Sequence, residues 1–129
     1  MDSKTTIGEV KKQILKFVKK RGWNPDARSL AISVVLEAGE LLEHFQWKES
    51  VKAEKELKVN IEKKRELEKE FGDVLFYYCE LANRLGIDIS EALKRTIKIN
   101  EEKYPADGIK RGGDTFYFAQ KRKYREGRK

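Results

Sequence analysis

Two short segments of this chain concentrate acids at helical spacing. LEAGELLEHFQW carries Glu37 and Glu40, and KEFGDVLFYY carries Glu70 and Asp73. Each pair is spaced i, i+3, so on a helix its two side chains lie about 60° apart on one face. Each pair also borders an apolar stripe, where an unpaired carboxylate is costly. Two such helices, burying those stripes against each other, would bring four negative charges together. Such a cluster repels itself unless protons or a cation intervene. Hard oxygen ligands in that number suit Mg²⁺, with Mn²⁺ as a substitute, and leave positions for water and phosphate oxygens. The plain alternative is four surface acids paired with Lys and Arg, which a chain that is 40% charged could supply.

The elements that must position these acids read as helices. Ile7, Val10, Ile14, Phe17 and Val18 recur at three- and four-residue steps and predict a first helix from about Thr6 to Arg21, ended by Gly22. Trp23-Asn24-Pro25-Asp26 reads as a turn. The second helix is expected from Ala27 to Trp47. It is apolar on both flanks, with Leu30, Val34, Leu41 and Phe45 on one and Ile32, Leu36 and Trp47 on the other; Glu37, Glu40 and His44 form the column between. Lys48 to Lys69 reads as a short exposed helix or loop running into a third helix that lasts to Leu85. Asp88 and Glu91 have capping-box spacing and start a fourth, which Pro105 ends after Tyr104. The fold expected is all-α, an antiparallel four-helix bundle. The second stripe on the second helix asks for another partner, most simply another copy of the chain, as a homodimer or a dimer of dimers.

At 129 residues the chain reads as one domain over 1–105 with a basic C-terminal tail over 106–129. The net charge is +7, and residues 103–129 supply +6 of it through nine Lys/Arg against three Asp/Glu. Such a tail can bind nucleic acid, but a solvated, partly disordered extension is the favoured reading. The single cysteine, Cys79, precludes an internal disulfide and reads as a buried, unreactive thiol. No apolar stretch is long enough to cross a membrane, and MDSKTTIGEV lacks a signal-peptide core, so a cytoplasmic protein is expected.

The residues around the acids sharpen this reading. Glu37-Ala38-Gly39-Glu40 is followed by Glu43 and Phe45-Gln46-Trp47, then by Glu70-Phe71-Gly72-Asp73 and Val74-Leu75-Phe76-Tyr77, then by Asn100 before Lys103-Tyr104-Pro105. In order and spacing this resembles the MazG-like superfamily of all-α NTP pyrophosphohydrolases, and within it the dCTP pyrophosphatase branch. The resemblance covers roughly Phe17 to Pro105. It implies an oligomeric helical bundle that cleaves a nucleoside triphosphate between the α and β phosphates with Mg²⁺. It implies Glu37, Glu40, Glu70 and Asp73 as metal ligands, with one of them or Glu43 orienting the attacking water.

The same resemblance makes Trp47, Tyr77, Asn100, Lys103 and Tyr104 candidate substrate contacts. Each has an ordinary alternative. Trp47 could stack on a base or sit in an oligomer core; Tyr77 could bond to a sugar or phosphate or fill the core. Asn100, in line with Leu93, Ile97 and Tyr104, is aimed inward, as a nucleotide contact or a structural amide. Lys103 could neutralise phosphate or be solvated, and His44 reads as structural. Three departures weaken the base assignment: a shortened loop from Asn24 to Arg28, Thr96 where many relatives have lysine, and Ile14 where the dCTP branch has a histidine. Competing readings are a non-catalytic nucleotide- or RNA-binding module that uses the tail and a structural helical oligomer.

Overall fold

The computed structural model describes residues 1–127. Among them there are six helices and no strand: α1 (Ile7–Lys20), α2 (Ala27–Glu43), α3 (Ser50–Val59), α4 (Ile61–Leu85), α5 (Ile89–Lys103) and α6 (Ala106–Glu126). The chain divides into two compact units, the first Met1–Ile87 and the second beginning at Asp88.

In the first unit α4 is the common partner, with α1, α2 and α3 all packed on it and α2 most extensively. The helix starts are set by side-chain caps. Thr6 and Glu9 form a capping box on α1, Asp26 Oδ1 accepts from the Ser29 amide at 2.7 Å, and Asn60 Oδ1 accepts from the Lys63 amide at 3.1 Å. Gly86, at φ 63°, closes α4 in the left-handed conformation. Ile14 and Val18 from α1, Leu30 from α2, Ala53 from α3, and Cys79 and Ala82 from α4 form the buried apolar core. Polar ties close the α1 side: Asn83 Nδ2 donates to the Lys11 carbonyl at 2.9 Å and Lys11 Nζ donates to the Ile87 carbonyl at 2.6 Å. Cys79 is wholly buried, and that burial pushes its thiol pKa up, so it is the inert thiol expected.

Two expectations for this unit change. The charge-rich stretch forms α3 and the first turns of α4, divided at Asn60, which caps both. And α2 stops at Glu43 rather than Trp47: residues 44–47 turn away, with the Phe45 amide donating to the Leu42 carbonyl at 2.9 Å, and Trp47 adopts φ 63°. Of the two flanks of α2, only one is covered. Leu30 is buried and Val34, Leu41 and Phe45 are half-buried, whereas Ile32, Leu36 and Trp47 are exposed.

The second unit holds α5 and α6. Asp88 Oδ1 accepts from the Glu91 amide at 2.9 Å, capping α5 as its spacing predicts. The stripe that should have turned Asn100 inward is bare: Leu93, Ile97 and Asn100 are all exposed. The tail expected as a solvated extension is helical as α6, with a kink at Gly113 (φ 54°, ψ −143°). Its order comes from aromatic packing within the unit. The Tyr104 and Tyr117 rings stack at 4.9 Å, and a Cβ on Gly108 or Gly112 would lie 2.5 Å from Phe116, so both glycines make room for that ring. The last two tail residues, 128 and 129, lie outside the described residues.

Leu30, 2% exposed, joins α2 to the core. Leu30→Ala should cost about 2–5 kcal/mol, the range for emptying a packed leucine site. Urea unfolding checks this; a loss below about 1 kcal/mol would mean that α2 is not seated as described.

Candidate metal centre

The contact between α2 and α4 gathers three of the four paired acids. Carboxylate oxygens of Glu37, Glu70 and Asp73 all lie within 4.8 Å of one another, and the three residues are half-buried. The i, i+3 step on α4 sets Glu70 and Asp73 side by side, and Glu37 meets them from α2. Glu40 stands outside this triangle. It is exposed, yet near enough that its charge and a hydrogen bond raise the proton affinity of Glu37. Glu43, the last residue of α2, is exposed.

The cluster is under electrostatic strain. Burial first, then the charges of Glu40 and Asp73, hold the Glu37 carboxyl above the usual carboxylate range. Glu70 Oε2 is buried without a hydrogen-bond partner. A lysine and an imidazole stand by. Lys69 Nζ donates to Asp73 Oδ2 at 2.6 Å along an i, i+4 step of α4, and His44 Nε2 lies 4.0 Å from Glu70 Oε1. The Lys69 pair is largely exposed, and such pairs are weak competitors for a site. An orphaned carboxylate oxygen beside two further acids fits a hard divalent cation, whose opposed oxygens stand about 4 Å apart in an octahedral shell. Glu37, Glu70 and Asp73 would hold it, with Glu40 adjoining.

The candidate substrate residues divide between the two units. In the first, Tyr77 sits one turn beyond Asp73 on α4, half-buried, its ring edge-on to Phe76 at 5.5 Å. Trp47 is 94% exposed, so it is not a core residue of this chain. In the second, Asn100 is exposed on α5, and Lys103 Nζ sits over the rings of Tyr104 and Tyr124 at 5.0 and 5.6 Å. Two groups escaped the sequence reading. Lys69 was signalled by its i, i+4 step to Asp73. Trp23, taken only as part of a turn, packs against Phe17 with ring centroids 5.9 Å apart and lines a cavity with Phe76 and Tyr77.

An all-helical chain with acids from two packed helices converging on one point belongs to the class of helical carboxylate-cluster proteins. More narrowly, it belongs to the MazG-like family, whose model matches residues 32–113. It is similar to dCTP pyrophosphatase 1 of Homo sapiens, 31% identical over 103 residues, covering 78% of this chain and 60% of that protein. The Mus musculus protein of the same name is 30% identical over 102 residues, covering 78% and 59%. The chain thus spans about 60% of the length of these curated relatives. Among solved structures it is similar to a pyrophosphatase of Archaeoglobus fulgidus, at 38% identity and a TM-score of 0.67, covering 77% of this chain and 92% of that one.

A carboxyl with a raised folded-state pKa holds its proton more tightly folded than unfolded. Stability therefore falls as pH rises from the ordinary carboxylate range through the raised value, and the penalty persists above it. Glu37→Gln should raise the Tm of the ion-free protein at about pH 8, and the gain should shrink as the pH falls toward 4.5, the ordinary value for Glu. Millimolar Mg²⁺ or Mn²⁺ should raise the Tm of the parent by several degrees and that of the variant by less. Thermal unfolding with and without ion reads both, and an ion-independent Tm would contradict the site.

Proposed function

We propose that the chain is a Mg²⁺-dependent nucleoside triphosphate pyrophosphohydrolase, converting a triphosphate and water to a monophosphate and pyrophosphate. The observation that carries this reading is the convergence of Glu37, Glu70 and Asp73, with Glu70 Oε2 left unpartnered. The similarity to dCTP pyrophosphatases and to a pyrophosphatase supports it. A divalent ion bound there supplies neutralisation of the triphosphate, polarisation of the scissile phosphorus and acidification of water. The protein's part is to place the acids before the substrate arrives. One of the clustered acids, or the adjoining Glu40 or Glu43, orients the attacking water. Lys69 exchanges its bond to Asp73 for phosphate oxygen. In the first unit Tyr77 and Trp47 are proposed substrate contacts, and in the second Asn100 and Lys103 of α5 and the Tyr104 that follows it.

The proposal includes an assembly and a location. The uncovered stripes on α2 (Ile32, Val35, Leu36) and on α5 (Leu93, Ile97) support a four-helix bundle closed by a second copy, as a homodimer or dimer of dimers. No helix among the described residues is long and apolar enough to cross a membrane, and the reading is of a cytoplasmic enzyme. Binding of nucleic acid by α6 is the lesser reading. Phe118, Lys121, Arg122 and Arg125 share one surface hollow there, and such binding should survive EDTA while hydrolysis should not.

Asp73→Asn should lower pyrophosphate release by orders of magnitude while the far-ultraviolet circular dichroism stays unchanged, because Mg²⁺ tolerates poor ligation badly, and Glu40→Gln should lower it by removing the acid that adjoins the ion. Full turnover by Asp73→Asn at saturating Mg²⁺ would end the metal assignment. Across dCTP, dTTP, dUTP, dATP and dGTP a preference for dCTP is expected, and Trp47→Ala should raise KM for all of them alike.

Light scattering should give a mass at least twice the 15.1 kDa of the chain. Leu36→Glu should reduce it to the monomer, because an exposed apolar stripe tolerates a charge only when nothing covers it. A parent monomer at micromolar concentration would refute the assembly.

A further inference from the structure

One turn along α4 from the acidic cluster, the loop after α1 and the middle of α4 form an open hollow of ≈ 450 Å³, lined by Gly22, Trp23, Asn24, Pro25, Phe76, Tyr77 and Glu80. That volume lies in the range of small-molecule sites. Its walls are apolar and aromatic apart from Asn24 and Glu80, and Asn24 Oδ1 is already engaged, accepting from Arg84 NH1 at 2.7 Å. Glu80 is the only charged side chain in the lining and is 8% exposed. Among the described residues its carboxyl has no ion pair, and no hydrogen bond to it is found; its neighbour Arg84 spends its guanidinium on Asn24. Burial of the residue raises the proton affinity of that carboxyl, while its oxygens stay open to the hollow and free to accept. The fold gains nothing visible from it.

Its position along α4 supplies a reason. Asp73, Tyr77 and Glu80 follow at i, i+4 and i+7, which puts them on one face of the helix. Seven residues advance about 10 Å along the axis. A ligand whose phosphates meet a cation held by Glu70 and Asp73 and whose sugar passes Tyr77 therefore brings its far end to Glu80. Trp23 and Phe76 offer that end aromatic surface, and stacking of this kind accepts any base.

We propose that Glu80 reads the base edge, selecting nucleobases that present an exocyclic amine and rejecting those that present a keto oxygen in the same place. This rests on the nucleotide reading of the neighbouring metal centre. An ionised carboxylate has only acceptors. It takes a hydrogen bond from the N4 amine of cytosine, the N6 amine of adenine, or the N1–H and N2 amine of guanine. The O4 of uracil or thymine meets it as one acceptor facing another, and neither group can supply the missing proton. Burial raises the proton affinity of Glu80, and a donor brought by the ligand offsets the same penalty.

The test compares kcat/KM for dCTP and dUTP, with dATP, dGTP and dTTP alongside, in the parent and in Glu80→Gln at about pH 8, well above the ordinary carboxylate range. The amide keeps the shape of the side chain and adds a donor that O4 can accept. The parent should favour dCTP over dUTP by at least about tenfold, and the variant should bring the ratio to within about threefold of unity, largely by gaining on dUTP. A side chain that served folding alone would lower both substrates together and leave the ratio unmoved. That result, or a parent indifferent to the two bases, overturns the proposal. Calorimetric titration of dCMP and dUMP in the presence of Mg²⁺ separates this outcome from failure of the enzymatic reading, because monophosphates bind without being cleaved. Were no triphosphate hydrolysed, dCMP selectivity that is lost in Glu80→Gln would still support the role of Glu80, and equal or absent binding of the two would refute it.

Discussion

Glu37 comes from α2, and Glu70 and Asp73 from α4. A single helix can set two acids side by side, but a third must arrive from another element, so the seating of α2 on α4 makes the cluster. The same seating is opposed by what it creates. Crowded carboxylates repel, and desolvation adds to the cost, as the raised Glu37 carboxyl and the orphaned Glu70 oxygen show. Leu30, buried beneath α2, and the half-buried Val34, Leu41 and Phe45 hold the helix down against that repulsion. The first unit is therefore a frame that hydrophobic burial holds closed around a charge cluster, with the imbalance kept available for a cation.

The frame itself is lean. Six apolar residues make up its buried core, while α2 leaves Ile32, Val35, Leu36 and Leu42 exposed. A small core and a long bare stripe are two views of one fact: the chain does not bury all the apolar surface it carries. In the second unit α5 repeats the pattern, with nothing buried along it. Stability there comes from ring packing among Tyr104, Tyr117 and Phe118 and from the notch that Gly108 and Gly112 open for Phe116.

Much of the acidic cluster was legible because it depends on local spacing. The i, i+3 pairs, the apolar stripes beside them and the cap at Asp88 are all properties of a few neighbouring residues. The end of α2 was not legible: no Gly or Pro marks it, and the helix yields at His44 to a turn that carries Trp47 into a left-handed backbone. The order of the tail was hidden by its charge. Phe116, Tyr117, Gln120, Lys121 and Tyr124 are half-buried at helical spacing, but basic residues dominate that stretch. The cavity holding Glu80 could not be read at all, since Trp23 and Glu80 meet only once α1 and α4 have packed.

The central claim is that Glu37, Glu70 and Asp73 form one divalent-cation site. It is tested most directly by diffraction from crystals grown with Mn²⁺ and a nucleotide whose α–β bridge cannot be hydrolysed. The account requires an anomalous peak within coordination distance of oxygens from all three residues, about 2.0–2.3 Å away, with Glu70 Oε2 among them. A peak elsewhere, or a cluster still closed by Lys69 and His44 with no ion between its acids, would contradict it.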